Sequence, residues 1–196
     1  NEQLYLRKKL FITRKNKGKV SRSILICKYG IHISRRVDNL IHVLFVCLGN
    51  ICRSPMAEAL FRDLVKKEKL EGKIIVDSAG TGDWHIGHPP HQGTRNLLDE
   101  KGISYEGMKA RQMQSSDFET FHYIVGMDES NMKNMKSFQM GDSDAVIVRL
   151  LDLVPDTAIK NVPDPYFTGN FEEVHDLVKN GCEQLLKKIK EEHDLN

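Results

Sequence analysis

The spacing of apolar residues changes several times along this chain, and each change marks an element. Ile41-His42-Val43-Leu44-Phe45-Val46 is apolar almost throughout, the pattern of a strand buried on both faces of a parallel sheet. Met56-Ala57-Glu58-Ala59-Leu60-Phe61-Arg62-Asp63-Leu64-Val65 then carries its apolar residues at helical spacing. Ser54 reads as the cap of that helix and Pro55 as its first position. Lys73-Ile74-Ile75-Val76-Asp77 predicts a second short strand, ended by Ser78-Ala79-Gly80-Thr81-Gly82. Residues 84–91 form a loop in which Pro89 and Pro90 forbid a helix, and residues 92–101 a second helix with Gly102 past its end. His122-Tyr123-Ile124-Val125-Gly126-Met127 predicts a third strand, the acid-led stretch from Asp128 a helix, and residues 145–148 a weaker fourth strand. The closing helix is the clearest: Val174, Leu177, Val178, Cys182, Leu185, Leu186 and Ile189 make one apolar stripe. Glu172 and Glu173 stand at its start and Lys187, Lys188 and Lys190 at its end, as the helix dipole favours.

Strands alternating with helices predict an α/β fold: a doubly wound open sheet of about four parallel strands with helices on both faces. Ligands bind such sheets beyond the carboxyl ends of the strands, and the first strand of this domain ends at Cys47.

Charge divides the chain unevenly. Of 29 Lys and Arg and 27 Asp and Glu, residues 1–36 hold eleven bases and one acid, leaving 18 and 26 for residues 37–196. The net +2 therefore combines a tail near +10 with a domain near −8. Residues 1–36 read as a basic, disordered extension, although Val20-Ser21-Arg22-Ser23-Ile24-Leu25-Ile26-Cys27-Lys28-Tyr29 can make a short strand. Such Arg-rich, acid-poor stretches also occur in transit peptides and nucleic-acid arms, but no nucleic-acid partner is expected. One domain over residues 37–196 and a monomer are the expectation. Cysteines at 27, 47, 52 and 182 make no disulfide framework, and no apolar run nears the ~20 residues that span a membrane, so a cytoplasmic setting is expected.

The stretch Cys47-Leu48-Gly49-Asn50-Ile51-Cys52-Arg53-Ser54-Pro55 carries the chemistry. Five residues between Cys47 and Arg53 let backbone N–H groups turn inward into an anion-binding nest, and the following helix adds its positive end. Gly49 and Asn50 tolerate the positive φ of a tight loop. Arg53 can fork onto two phosphate oxygens, as lysine cannot. In that field a thiol gives up its proton readily, and a thiolate facing a bound phosphate is a nucleophile.

Here the chain resembles the low-molecular-weight protein tyrosine phosphatases, whose signature Cys-x5-Arg-Ser on a strand, loop and helix matches residues 47–54 throughout. The resemblance runs from about Ile41 to the final helix. It implies hydrolysis of phosphotyrosine in proteins through a phosphocysteine intermediate, without cofactor or metal. It makes Cys47 the nucleophile, Arg53 the phosphate clamp, and Asp164 of Pro163-Asp164-Pro165-Tyr166 the general acid and then base. Leu48, Gly49, Asn50, Ile51, Cys52 and Ser54 line the phosphate site, with Asn50 holding the loop and the Ser54 hydroxyl bonding the thiolate. Tyr166 walls the pocket, and Trp84 faces it or lies in the core. Cys52 stands close enough to Cys47 in sequence for a reversible regulatory disulfide.

Departures from the family pattern are informative. Phe167 replaces a second tyrosine, and Met108 stands where some members place a histidine that braces the loop asparagine, so that brace is absent or replaced. Arginine phosphatases of this scaffold carry threonine where Ile51 stands, and arsenate reductases need further resolving cysteines, which do not occur between Arg53 and Cys182. A non-catalytic phosphate-binding module is the remaining alternative. His85, His88 and His91 read as exposed surface rather than metal ligands, and Cys182 as inert core.

Overall fold

The computed structural model describes residues 24–27, 30–33 and 40–195. The chain divides into two compact units, Asn1–Asn39 and Leu40–Asn196. In the first, β1 (Ile24–Cys27) pairs antiparallel with β2 (Gly30–Ile33), so the stretch able to make a strand does so. The rest of residues 1–36, and with it the expectation of a disordered tail, lies outside the described residues, as do residues 37–39 at the expected domain boundary.

The second unit is built on four parallel strands: β3 (Ile41–Cys47), β4 (Ile74–Gly80), β5 (Tyr123–Gly126) and β6 (Val146–Arg149), in the order β4-β3-β5-β6. β3 lies inside the sheet, which is why its apolar run is nearly unbroken. Its alternate residues serve two cores. Val43, Phe45 and Cys47 pack toward α1 (Arg53–Lys67) and α6 (Phe171–Glu192), whereas Leu44 and Val46 meet Met113, Phe118 and Met135 on the other face. That second face is covered by α3 (Asp117–Thr120) and α4 (Glu129–Met135). The winding reverses on either side of β3, which opens a crevice past the carboxyl ends of β3 and β5.

The predicted elements are present with shifted ends. β4 continues three residues beyond Asp77 to Gly80, since Phe45, Val46 and Cys47 of β3 offer it partners. α2 (Gln92–Glu100) ends before Gly102, whose φ is +67°. The single turns α3 and α5 (Pro165–Thr168) are too short to show a period in sequence. The α6 stripe is buried as read, and Cys182 sits in it fully covered, its thiol pushed up by burial. Among the described residues, no helix is long and apolar enough to cross a membrane.

Candidate active site

Cys47 ends β3 with its side chain buried, and the chain then turns sharply into α1. Asn50 takes the positive φ of that turn, at +54°; Gly49 does not. The turn brings two donors onto the sulfur. The Asn50 amide donates to Cys47 Sγ at 3.3 Å and the Ser54 hydroxyl at 3.0 Å, an arrangement that suits a thiolate acceptor. Ser54 is therefore not the helix cap. Cys52 occupies that position, without a side-chain cap bond, and Ser54 lies inside the first turn with its hydroxyl drawn inward.

A chain of buried hydrogen bonds fixes the loop from behind. Asn50 Nδ2 donates to Ser54 Oγ at 2.9 Å and to Ser78 Oγ at 2.8 Å, while its Oδ1 accepts from the Arg111 amide at 2.9 Å. Ser78 in turn donates to Glu58 Oε2 at 2.6 Å, and Glu58 Oε1 pairs with Arg62 at 2.6 Å. Burial pushes the Glu58 carboxyl up, while Ser78 and Arg62 pull it back. The missing histidine brace is thus replaced by Ser78 and the Arg111 amide. Met108 packs instead against Ala59 and Leu98.

Arg53 is the hub of the crevice. Its Nη1 donates to Asp128 Oδ2 at 2.5 Å and to the Val162 carbonyl at 3.2 Å, and its Nη2 to Asp164 Oδ2 at 2.6 Å. Burial works against its charge, but Cys47, Asp164 and Asp128 outweigh that and hold the guanidinium more firmly protonated than a free one. The Nε–H is buried and has no partner among the described residues. Buried donors are rarely left alone, so this one is open to an anion. Asp164 caps α5, its Oδ1 accepting from the Tyr166 amide at 3.2 Å while Oδ2 rests on Arg53. An anion-binding loop, a sulfur with two donors and a carboxyl held across from them by one arginine make a site for phosphoryl transfer.

Residues 42–195 match the family described as low molecular weight phosphotyrosine protein phosphatase. The chain belongs to that family. It is 57% identical over 156 residues to the low molecular weight protein-tyrosine-phosphatase YfkJ of Bacillus subtilis, covering 80% of this chain and 100% of the relative. The crystal structure of YfkJ superposes with a TM-score of 0.76 over 78% of this chain and 96% of that one. PtpA of Staphylococcus aureus is 42% identical over 156 residues, 80% of this chain and 98% of its own. A protein tyrosine phosphatase from Entamoeba histolytica, solved with Hepes in its active site, is 35% identical with a TM-score of 0.72, over 77% and 97% of the two chains.

Within this phosphatase, the fold draws most of the predicted site residues together. Cys47, Asn50 and Ser54 form one bonded set and Arg53 and Asp164 another, Cys47 and Arg53 interact electrostatically, and Ile51 and Cys52 are buried beside them. The loop bearing Trp84 runs alongside, tied by the Thr81 amide to the Cys47 carbonyl at 2.9 Å and the Gly82 amide to the Leu48 carbonyl at 2.8 Å. Trp84 is 68% exposed, which removes the core reading. Leu48 and Tyr166 are also exposed at the rim. His88 is exposed as read, but His85 and His91 are half-buried, and His91 Nδ1 caps α2. Among the described residues, no group of three or more His, Cys, Asp or Glu is placed to hold a metal.

Asp128, Ser78, Glu58 and Arg111 are the residues that sequence reading missed. Asp128 and Ser78 do carry a signal, because each lies at or just past the carboxyl end of a parallel strand. A glycine nearby yields a direct test. A Cβ on Gly80 would stand 2.8 Å from the Leu48 carbonyl oxygen and 3.1 Å from the Asn50 amide nitrogen, both backbone atoms of the loop. Gly80→Ala is expected to displace the loop and lower kcat/KM on p-nitrophenyl phosphate by on the order of 10²-fold. Steady-state kinetics check this, and a parent-like kcat/KM would mean the loop tolerates the shift.

Proposed function

We propose that the protein hydrolyses phosphotyrosine in proteins through a phosphocysteine intermediate. The observation that carries this is Cys47 Sγ, with its two donors, in electrostatic contact with Arg53, whose buried Nε–H has no partner among the described residues. The phosphate docks on the loop amides and Arg53. Cys47 attacks phosphorus in line, forming the S–P bond as the P–O bond to the phenol breaks, and Asp164 gives its proton to the leaving oxygen. Asp164 then takes a proton from water, which attacks phosphorus and releases phosphate. The Ser54 hydroxyl steadies the departing thiolate. Turnover of p-nitrophenyl phosphate in the presence of a chelator, blocked by vanadate, tests the reading; no turnover would leave only phosphate binding.

Ile51 supports an aryl ester over phosphoarginine, because a buried apolar side chain offers the guanidino group of phosphoarginine no hydrogen bond. Cys182 is buried in the core with its thiol on the Ala57 carbonyl, which argues against a resolving role in arsenate reduction. Phosphotyrosine and phosphoarginine peptides assayed side by side separate these readings. The proposal places the activity in residues 37–196, acting as a monomer in the cytoplasm, and three free cysteines among the described residues fit a reducing compartment.

Asp164→Ala is expected to lower kcat by roughly 10²–10⁴-fold for phosphotyrosine, whose phenol needs a proton, and less for p-nitrophenol. An equal loss on both esters would make Asp164 only the cap of α5.

Redox control is part of the same proposal. The Cys52 thiol is pushed up to about 12, by burial first and then by neighbouring Cys47, so it waits as a thiol at neutral pH. Peroxide would oxidise Cys47 to the sulfenic acid, and Cys52 would displace water to close a disulfide. Cys52→Ser is expected to regain much less activity than the parent when thiol follows peroxide. Equal recovery would remove the protective role.

A further inference from the structure

His91 is tied to three parts of the site at once. Its backbone N–H donates to the Ile51 carbonyl of the phosphate loop at 2.7 Å. Its Nδ1 accepts the Gly93 amide at 3.1 Å, which leaves the ring proton of the neutral imidazole on Nε2. Its ring stacks on Phe171, the first residue of α6, with centroids 5.4 Å apart and planes 6° from parallel. Gly93 makes room for that stack, since a Cβ there would fall 2.4–2.8 Å from Phe171 ring atoms. Cap bond and stack together leave the imidazole little freedom to turn.

Against this fixed ring stands Tyr166, the two rings T-shaped at 5.9 Å and 70°, and Phe167 is T-shaped to Tyr166 at 5.4 Å and 81°. Tyr166 is 58% exposed and sits on the single turn α5, and its other ring neighbour, Phe167, is 80% exposed, so His91 is the half-buried ring against which it rests. A wall that is in place only part of the time weakens binding by that fraction.

We infer that His91 is a positioning residue for the aryl group of the substrate: it acts as a fixed post that holds the exposed ring of Tyr166 in the orientation that meets the phenol ring. This rests on the phosphotyrosine reading above and extends it to a residue that touches neither phosphate nor sulfur. The imidazole has two separable duties, capping α2 and bracing Tyr166, and different substitutions remove each one. Asparagine keeps a cap acceptor and discards the ring, whereas phenylalanine keeps a flat ring and discards the acceptor.

The test measures kcat and KM on p-nitrophenyl phosphate together with the inhibition constant of inorganic phosphate, which occupies only the loop. His91→Asn is expected to raise KM about two- to tenfold, the worth of one aromatic pair, with kcat and the phosphate constant unchanged. His91→Phe is expected to keep the parent KM while losing melting temperature through the cap. In a Tyr166→Ala background, His91→Asn should add nothing further. An unchanged KM in His91→Asn overturns the inference. So does a phosphate constant that rises in step with KM, because His91 would then act through Ile51, and so does a KM in His91→Phe as high as in His91→Asn. Turnover by the parent separates these failures from a failure of the phosphatase reading.

Discussion

Cys47→Ser is expected to lower turnover of p-nitrophenyl phosphate by about 10⁴-fold or more, the scale of losing a covalent nucleophile. A serine hydroxyl at the end of β3 would still meet the Asn50 amide and the Ser54 hydroxyl, but an alcohol is a far weaker nucleophile than a thiolate. The phosphate cradle itself is untouched. Inorganic phosphate and phosphotyrosine peptides should therefore bind with constants within a few-fold of the parent's. Rapid-quench measurement of the first turnover checks the assignment, because the serine variant should show no burst of phosphoenzyme. A retained burst would place the nucleophile elsewhere.

Arg53→Ala is expected to reduce kcat/KM by roughly 10³–10⁵-fold, the range seen when an arginine that neutralises transferring phosphoryl oxygens is removed. The change does more than delete a donor. Asp128 and Asp164 both lean on the Arg53 guanidinium, and without it two carboxylates face an incoming dianion. Arg53→Lys should recover little, since one ammonium cannot replace contacts to Asp128, the Val162 carbonyl, Asp164 and the substrate together. The comparison of kcat/KM and phosphate inhibition across the two variants decides the matter. A lysine enzyme within a few-fold of the parent would show that charge alone suffices.

The fork of Arg53 also holds Asp164, the proposed acid, in place. The two oxygens of Asp164 are divided between the Tyr166 amide of α5 and Arg53, which fixes its carboxyl beside the guanidinium. An arriving phosphate competes for the same guanidinium through the open Nε–H.

Much of this was legible in the chain itself. The apolar run of β3, the stripe of α6 and the Cys-x5-Arg spacing all depend on interactions closed within about twenty residues, so period and residue type report them directly. Cys47 and Arg53, the proposed nucleophile and clamp, belong to that class. Ser54 shows the limit, since a Ser-Pro helix start is a sound local reading, yet the hydroxyl finds a sulfur and Asn50 instead. The partners of Arg53 lie 75, 109 and 111 residues away at Asp128, Val162 and Asp164, and Asn50 is braced by Ser78 and Arg111 at separations of 28 and 61. No periodicity records such contacts, because they exist only once β3 is flanked by β4 on one side and β5 on the other. Sequence alone determined the fold class and the Cys-x5-Arg loop between β3 and α1; the strand order decided which distant groups hold that loop and Arg53 in place.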